Sequence, residues 1–168
     1  MHFMVDRADT DESYSADKAA ILKYAPSFQD QVYAITVGSE SLYRGNFTGP
    51  QLLAKIKDMK ASAPQFKIGT ADSWNMYQDG TADALIKEVD ILYVYSYPAL
   101  PATPWCRADT NLIRLCNAFS YWQGQVASNA TASFFDDIMQ AFGHIQSISG
   151  STDKPELWVG ETGKQFDF

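Results

Sequence analysis

Two glutamates in this chain stand directly after short apolar, β-branched runs. Glu40 follows Ile35-Thr36-Val37-Gly38-Ser39, and Glu161 follows Leu157-Trp158-Val159-Gly160. In parallel α/β architectures the C-terminal ends of the strands hold the site. A side chain there points into a cleft, so two glutamates at two strand ends could face one another. Such a pair suits cleavage of a glycosidic bond, which needs one carboxyl as acid and another as base or nucleophile. Strand-end acids also serve as helix caps or solvated loop residues, and the pattern alone leaves that alternative open.

The remaining residues offer fewer options. The chain holds two histidines, His2 and His144, without ligand spacing, so no metal site is expected. Cys106 and Cys116 could form a disulfide but lack the His/Asn context of a thiol nucleophile. There is no glycine-rich phosphate loop, and no cofactor is expected. A net charge of −7 argues against nucleic acid as a partner. No apolar run is long enough for a membrane span. The aromatic share, 14%, is high enough to furnish stacking surfaces for the apolar faces of sugar rings as well as a core.

The elements that must position the glutamates follow from periodicity. The 168 residues, 46% hydrophobic, fit one domain. Helices are predicted over residues 15–24 with Ser15 as N-cap, over 50–60 with Thr48 as cap, over 81–88, and over 133–148. The second carries Leu52, Ile56 and Met59 on one face, and the last a stripe of Phe135, Ile138, Phe142 and Ile145. Strands are predicted over 32–37, 66–70, 89–92 and 157–160, with residues 1–5 as a fifth. Strand–helix alternation of this kind implies βαβ units and a parallel sheet. Residues 93–115 break the rhythm, with Pro98, Pro101 and Pro104 close together.

Several segments carry a family resemblance. Val37-Gly38-Ser39-Glu40-Ser41-Leu42-Tyr43-Arg44 resembles the acid/base segment of glycoside hydrolase family 17, and Trp158-Val159-Gly160-Glu161-Thr162-Gly163 its nucleophile segment. Gly69 to Asn75, Asn117 to Gln125 and Phe134 to Ala141 are also similar to that family, closest to its fungal cell-wall β-1,3-glucanase and glucanosyltransferase branch.

The resemblance implies a retaining enzyme acting on β-1,3-glucan, by hydrolysis or transglycosylation. Glu161 would be the nucleophile and Glu40 the acid/base. Tyr43, Trp74, Phe119, Tyr121 and Trp122 would be sugar-stacking or packing positions. Asn117 would be a sugar-binding or structural amide, and Arg44 a residue orienting the carboxylates or a surface ion-pair partner. The sequons at Asn46 and Asn129 fit a secreted or cell-wall glycoprotein, although the chain as given carries no signal peptide.

The resemblance also sets an expectation about completeness. A whole (β/α)8 barrel needs about 250 residues. The reading is therefore a single incomplete catalytic domain over 1–168, a partial TIM barrel lacking the first strands and the last βα unit. The stretch at about 93–115 reads as an insertion, and together with 164–168 as translated intron. The chain is accordingly expected to be impaired, with a non-catalytic glucan-binding fragment or a non-functional gene-model product as alternatives.

Overall fold

The computed structural model describes residues 2–5, 10–95 and 127–161. Five strands form one parallel sheet in chain order: β1 (His2–Val5), β2 (Ala34–Ser39), β3 (Lys67–Ser73), β4 (Ile91–Tyr95) and β5 (Glu156–Glu161). Helices connect them: α1 (Asp11–Tyr24), followed by a 3-10 segment (Ala25–Gln31), then α2 (Gly49–Ser62), α3 (Trp74–Gln78), α4 (Asp83–Ile86) and α5 (Ala127–Ser149). Sequential parallel order with helical crossovers is an arc of a (β/α)8 barrel.

Strand alternation divides the buried side chains into two sets. Ile35, Val37, Ile68, Leu92 and Val94 join helix residues including Ile21, Leu52, Ile56, Leu85 and Ile138 in the main core. Ala34, Ala71, Ile91 and Tyr93 form a smaller cluster on the other face. On that side Trp158 lies against Tyr33 and Tyr93, with ring centroids 5.3 Å and 6.1 Å apart. Burial pushes the Tyr93 hydroxyl up to about 12. Gly69 is needed because β3 and β4 approach closely: a Cβ there would sit 1.7 Å from the Ile91 carbonyl oxygen.

The helix over 50–60 is found as α2. Leu52, Ile56 and Met59 are buried, and Gln51 Oε1 accepts 2.9 Å hydrogen bonds from the Thr48 amide and hydroxyl. Other boundaries move. The first helix starts at Asp11, not Ser15, because Thr10 and Ser13 form a reciprocal capping box. The strands expected at 32–37 and 66–70 run instead over Ala34–Ser39 and Lys67–Ser73.

The helix expected over 81–88 is found as the shorter α4, and a further short helix not expected from the sequence, α3, precedes it across Gly80 in the left-handed region. In α5 the buried stripe is Ile138, Ala141 and Ile145, with Phe134, Phe142 and Ile148 packed beside it, while Phe135 is 59% exposed. The strand expected at 89–92 is β4, which continues through Tyr95, so Tyr93 to Tyr95 belong to the sheet. The rest of the proline-rich stretch and residues 164–168 lie outside the described residues.

Candidate active site

Both glutamates sit at strand ends, Glu161 at a shift in register and Glu40 just past one. Along β2, Ala34, Ile35 and Thr36 pair with Lys67, Ile68 and Gly69, after which the register shifts so that Ser39 pairs with Ala71. Gly38 lies inside the irregularity at φ +80°, a conformation that a side chain disfavours. Along β5, Val159 pairs with Val94, and a second shift puts Glu161 opposite Tyr95 in place of Gly160. Bulges of this type re-aim side chains beside active sites.

Glu40 begins a tight turn built by local bonds. The Arg44 amide donates to the Glu40 carbonyl at 2.9 Å, and the Asn46 amide to the Ser41 carbonyl at 2.9 Å. Glu40 itself has φ +55° and is the one non-glycine residue with positive φ among the described residues. The left-handed region costs an L-residue roughly 1–2 kcal/mol, so surrounding contacts must hold it there.

Three contacts do so. The Glu40 amide donates to the Ala71 carbonyl at 2.9 Å. The Leu42 side chain is buried in the main core. The third is the Asp72 carboxylate on β3: Oδ2 accepts from the Leu42 amide at 2.8 Å, and Oδ1 from the Tyr43 and Ser73 amides at 3.2 Å and 2.8 Å. Asp72 is fully buried. Burial raises its pKa to about 6, against the downward pull of the three amides, and the neighbouring Glu40 carboxylate raises it further.

Arg44 converges on Glu40. Its Nε donates to Oε2 at 2.8 Å, and its Nη2 forms an ion pair with the same oxygen. Glu40 is 7% exposed, while Tyr43 is 42% exposed beside it. Trp74, at the start of α3, is half-buried and packs against the main core. Asn46 is half-buried within the turn, and Asn129 is exposed on α5.

Asn117, Phe119, Tyr121 and Trp122 lie outside the described residues, as do Cys106 and Cys116. His144 Nε2 is 2.8 Å from Asp83 Oδ1, joining α5 to α4. Among the described residues no cluster of His, Cys, Asp and Glu could hold a metal ion, and no helix is long and apolar enough to cross a membrane.

A concavity of about 530 Å³ opens at the other end of the strands, lined by residues including Lys60, Phe66, Lys67, Asp90 and Glu156. Four of its charges are paired: Lys60 with Asp90 at 2.8 Å, and Lys67 with Glu156. The Lys67 ammonium and the Tyr33 hydroxyl hold Glu156 below the usual carboxylate range. This end of the sheet forms a structural ion-pair network remote from both glutamates.

The family profile described as "Glycosyl hydrolases family 17" matches residues 6–165 of the chain. The chain belongs to this family. A glucan 1,3-beta-glucosidase of Arthroderma benhamiae is 45% identical over 155 residues, covering 92% of the chain and 44% of that protein. A protein of the same name from Saccharomyces cerevisiae is 40% identical over 167 residues, covering 92% of the chain and 46% of its own length. The chain thus spans about half the length of these family 17 relatives.

An active-site mutant of a Rhizomucor miehei beta-1,3-glucanosyltransferase, solved with laminaritriose, superposes with a TM-score of 0.57 at 23% identity. The superposition covers 82% of the chain and 43% of that structure. It shows that the fold is shared. The strand-end glutamates were readable from sequence, whereas Asp72 was not singled out. Its signal was the one charged residue inside a strand segment, Ile68 to Ser73, that otherwise holds only small, apolar and hydroxyl side chains.

Proposed function

We propose that this family 17 chain derives from a retaining enzyme of β-1,3-glucan, with Glu161 as nucleophile and Glu40 as acid/base. The observation that carries this reading is the placement of both glutamates at C-terminal strand ends, Glu161 at a shift in register and Glu40 just past one. β2 and β5 are separated by β3 and β4. Three strand spacings put their ends about 14 Å apart along the sheet. A retaining pair needs its carboxyls about 5–5.5 Å apart. Retention therefore requires the two carboxyls to span that gap toward each other.

In this mechanism Glu161 attacks the anomeric carbon, while Glu40 protonates the departing glycosidic oxygen. The covalent glucosyl-enzyme is then resolved by an acceptor hydroxyl that Glu40 deprotonates. Water as acceptor gives hydrolysis, and a second glucan chain gives transfer. The Arg44 guanidinium fixes the position of the Glu40 carboxyl through Oε2. Tyr43, exposed beside it, is proposed to stack on a sugar, as are Trp74, Phe119, Tyr121 and Trp122, with Asn117 hydrogen-bonding a hydroxyl. The names of the relatives support glucan as the substrate class. An extracellular or cell-wall location with glycans on Asn46 and Asn129 belongs to the same proposal.

The test is turnover of laminari-oligosaccharides by the intact chain and by Glu40→Gln and Glu161→Gln, with the product anomer followed by proton NMR. Turnover with retained β-configuration that collapses at least about 10³-fold in either variant supports the reading. Glucan binding without turnover, unchanged in both variants, would replace it with a binding module.

A further inference from the structure

We propose that Asp72 is a positioning residue for Glu40, acting as a cap supplied from the neighbouring strand. The inference rests on the assignment of Glu40 as acid/base and adds a residue to that site. The turn opened by Glu40 behaves as one turn of helix, closed by the Arg44 amide on the Glu40 carbonyl. The first amides of such a turn have no partner within it and need an external acceptor. Helices normally take that acceptor from their own N-cap side chain.

Here the N-cap position is Glu40 itself, whose carbonyl accepts the Arg44 amide and whose side-chain Oε2 is held by the Arg44 guanidinium. The acceptor comes instead from Asp72, thirty positions away, whose two oxygens divide the Leu42 and Tyr43 amides between them. A buried carboxylate accepting charge-assisted bonds makes a stiffer anchor than a solvated one. The Ser73 amide, at 2.8 Å from Oδ1, fixes the carboxylate on its own strand. Ala71, the residue before Asp72, accepts the Glu40 amide. Two successive residues of β3 therefore hold three amides of the turn.

This arrangement explains how Glu40 is kept at φ +55° without a glycine. The Leu42 side chain anchors the turn from the core side, and Asp72 sets the orientation of its amides. Release of the cap would let Glu40 relax toward an ordinary backbone conformation and swing its carboxyl away from the linkage. A displacement of about 1 Å at a reacting group can lower turnover about 10²-fold. Sugar-binding contacts other than Tyr43 would be untouched, so the loss should fall mainly on kcat rather than KM.

The experiment uses the intact chain with Asp72→Asn and Asp72→Ala. Each is assayed for kcat and KM on a laminari-oligosaccharide and for amide hydrogen exchange at Leu42 and Tyr43, with β3 amides as the internal standard. Asp72→Asn keeps the shape but turns an NH2 toward an amide donor. It is expected to lower kcat about 10-fold or more with KM within about threefold, and to speed exchange at Leu42 and Tyr43 selectively. Asp72→Ala is expected to show the larger effect.

Where a variant does not fold, NMR of the unsubstituted chain decides: the Leu42, Tyr43 and Ser73 amide resonances should move together as one nearby group titrates. Wild-type kcat in a folded Asp72→Asn, exchange unchanged at Leu42 and Tyr43, or amide resonances that ignore the titration would each overturn the proposal. Absence of turnover in the unsubstituted chain would instead reflect the impairment expected of a partial barrel. The exchange and titration results would still decide whether Asp72 holds the turn.

Discussion

The left-handed backbone at Glu40 predicts a reversal of the usual order between alanine and glycine. Glu40→Ala and Glu40→Gly both remove the carboxylate and leave Arg44 without this partner, so those losses cancel when the two variants are compared. What remains is the backbone. Holding alanine at φ +55° costs roughly 1–2 kcal/mol. Glycine adopts that φ freely but loses about 0.4–1 kcal/mol through its greater freedom in the unfolded chain.

The balance leaves Glu40→Gly about 0.5–1 kcal/mol more stable than Glu40→Ala, a rise in Tm of about 1–4 °C for a chain of this size. The assay is urea unfolding followed by fluorescence, with thermal melts as a check. Ala16→Gly in the exposed face of α1 serves as the control, since glycine there should cost about 1 kcal/mol. If Glu40→Ala equals or exceeds Glu40→Gly in stability, the claim that the fold forces Glu40 into the left-handed region is wrong.

Asp72 should leave a mark on the pH dependence of stability. Its pKa rises from an ordinary 3.8 to about 6, so the folded state binds more protons in that window. Its stabilising contribution is full below pH 3.8 and is lost as pH rises through about 6, a change of about 3 kcal/mol. Asp72→Asn should flatten this slope, and urea midpoints at pH 4 and pH 7 that differ equally in both proteins would refute it. Gly69→Ala should abolish cooperative unfolding, because its methyl would meet the Ile91 carbonyl at 1.7 Å; a soluble, cooperatively melting Gly69→Ala would count against the close β3–β4 approach. Tyr14→Phe should cost about 1 kcal/mol, read by denaturant midpoint, since the Tyr14 hydroxyl lies 2.7 Å from Asp58 Oδ2 and 2.9 Å from the Lys55 carbonyl.

How much the sequence disclosed depended on how local each cause was. Thr48 followed by Gly49-Pro50 and a periodic apolar face announces α2, and every determinant lies within one helix. The start of α1 was harder, because Thr10, Ser13 and Ser15 are all eligible caps and only the Thr10–Ser13 exchange selects among them. In α5 the adjacent Phe134 and Phe135 both suit a stripe. Only the packed partners show that Phe134 turns inward. Glu40 and Glu161 were visible because each closes an apolar run. Asp72 was hidden because its partners are backbone amides thirty residues upstream, and main-chain donors leave no trace in residue identity.

Because the turn bearing Glu40 takes its anchoring from Ala71 and Asp72, the peptide Val37 to Arg44 is not portable. Excised, or spliced into another scaffold, the octapeptide would lack the acceptors that align it, and its glutamate would sample ordinary extended and helical backbones. Any transplant intended to preserve the geometry must carry β3 along with β2, so that the smallest exchangeable piece is a strand pair.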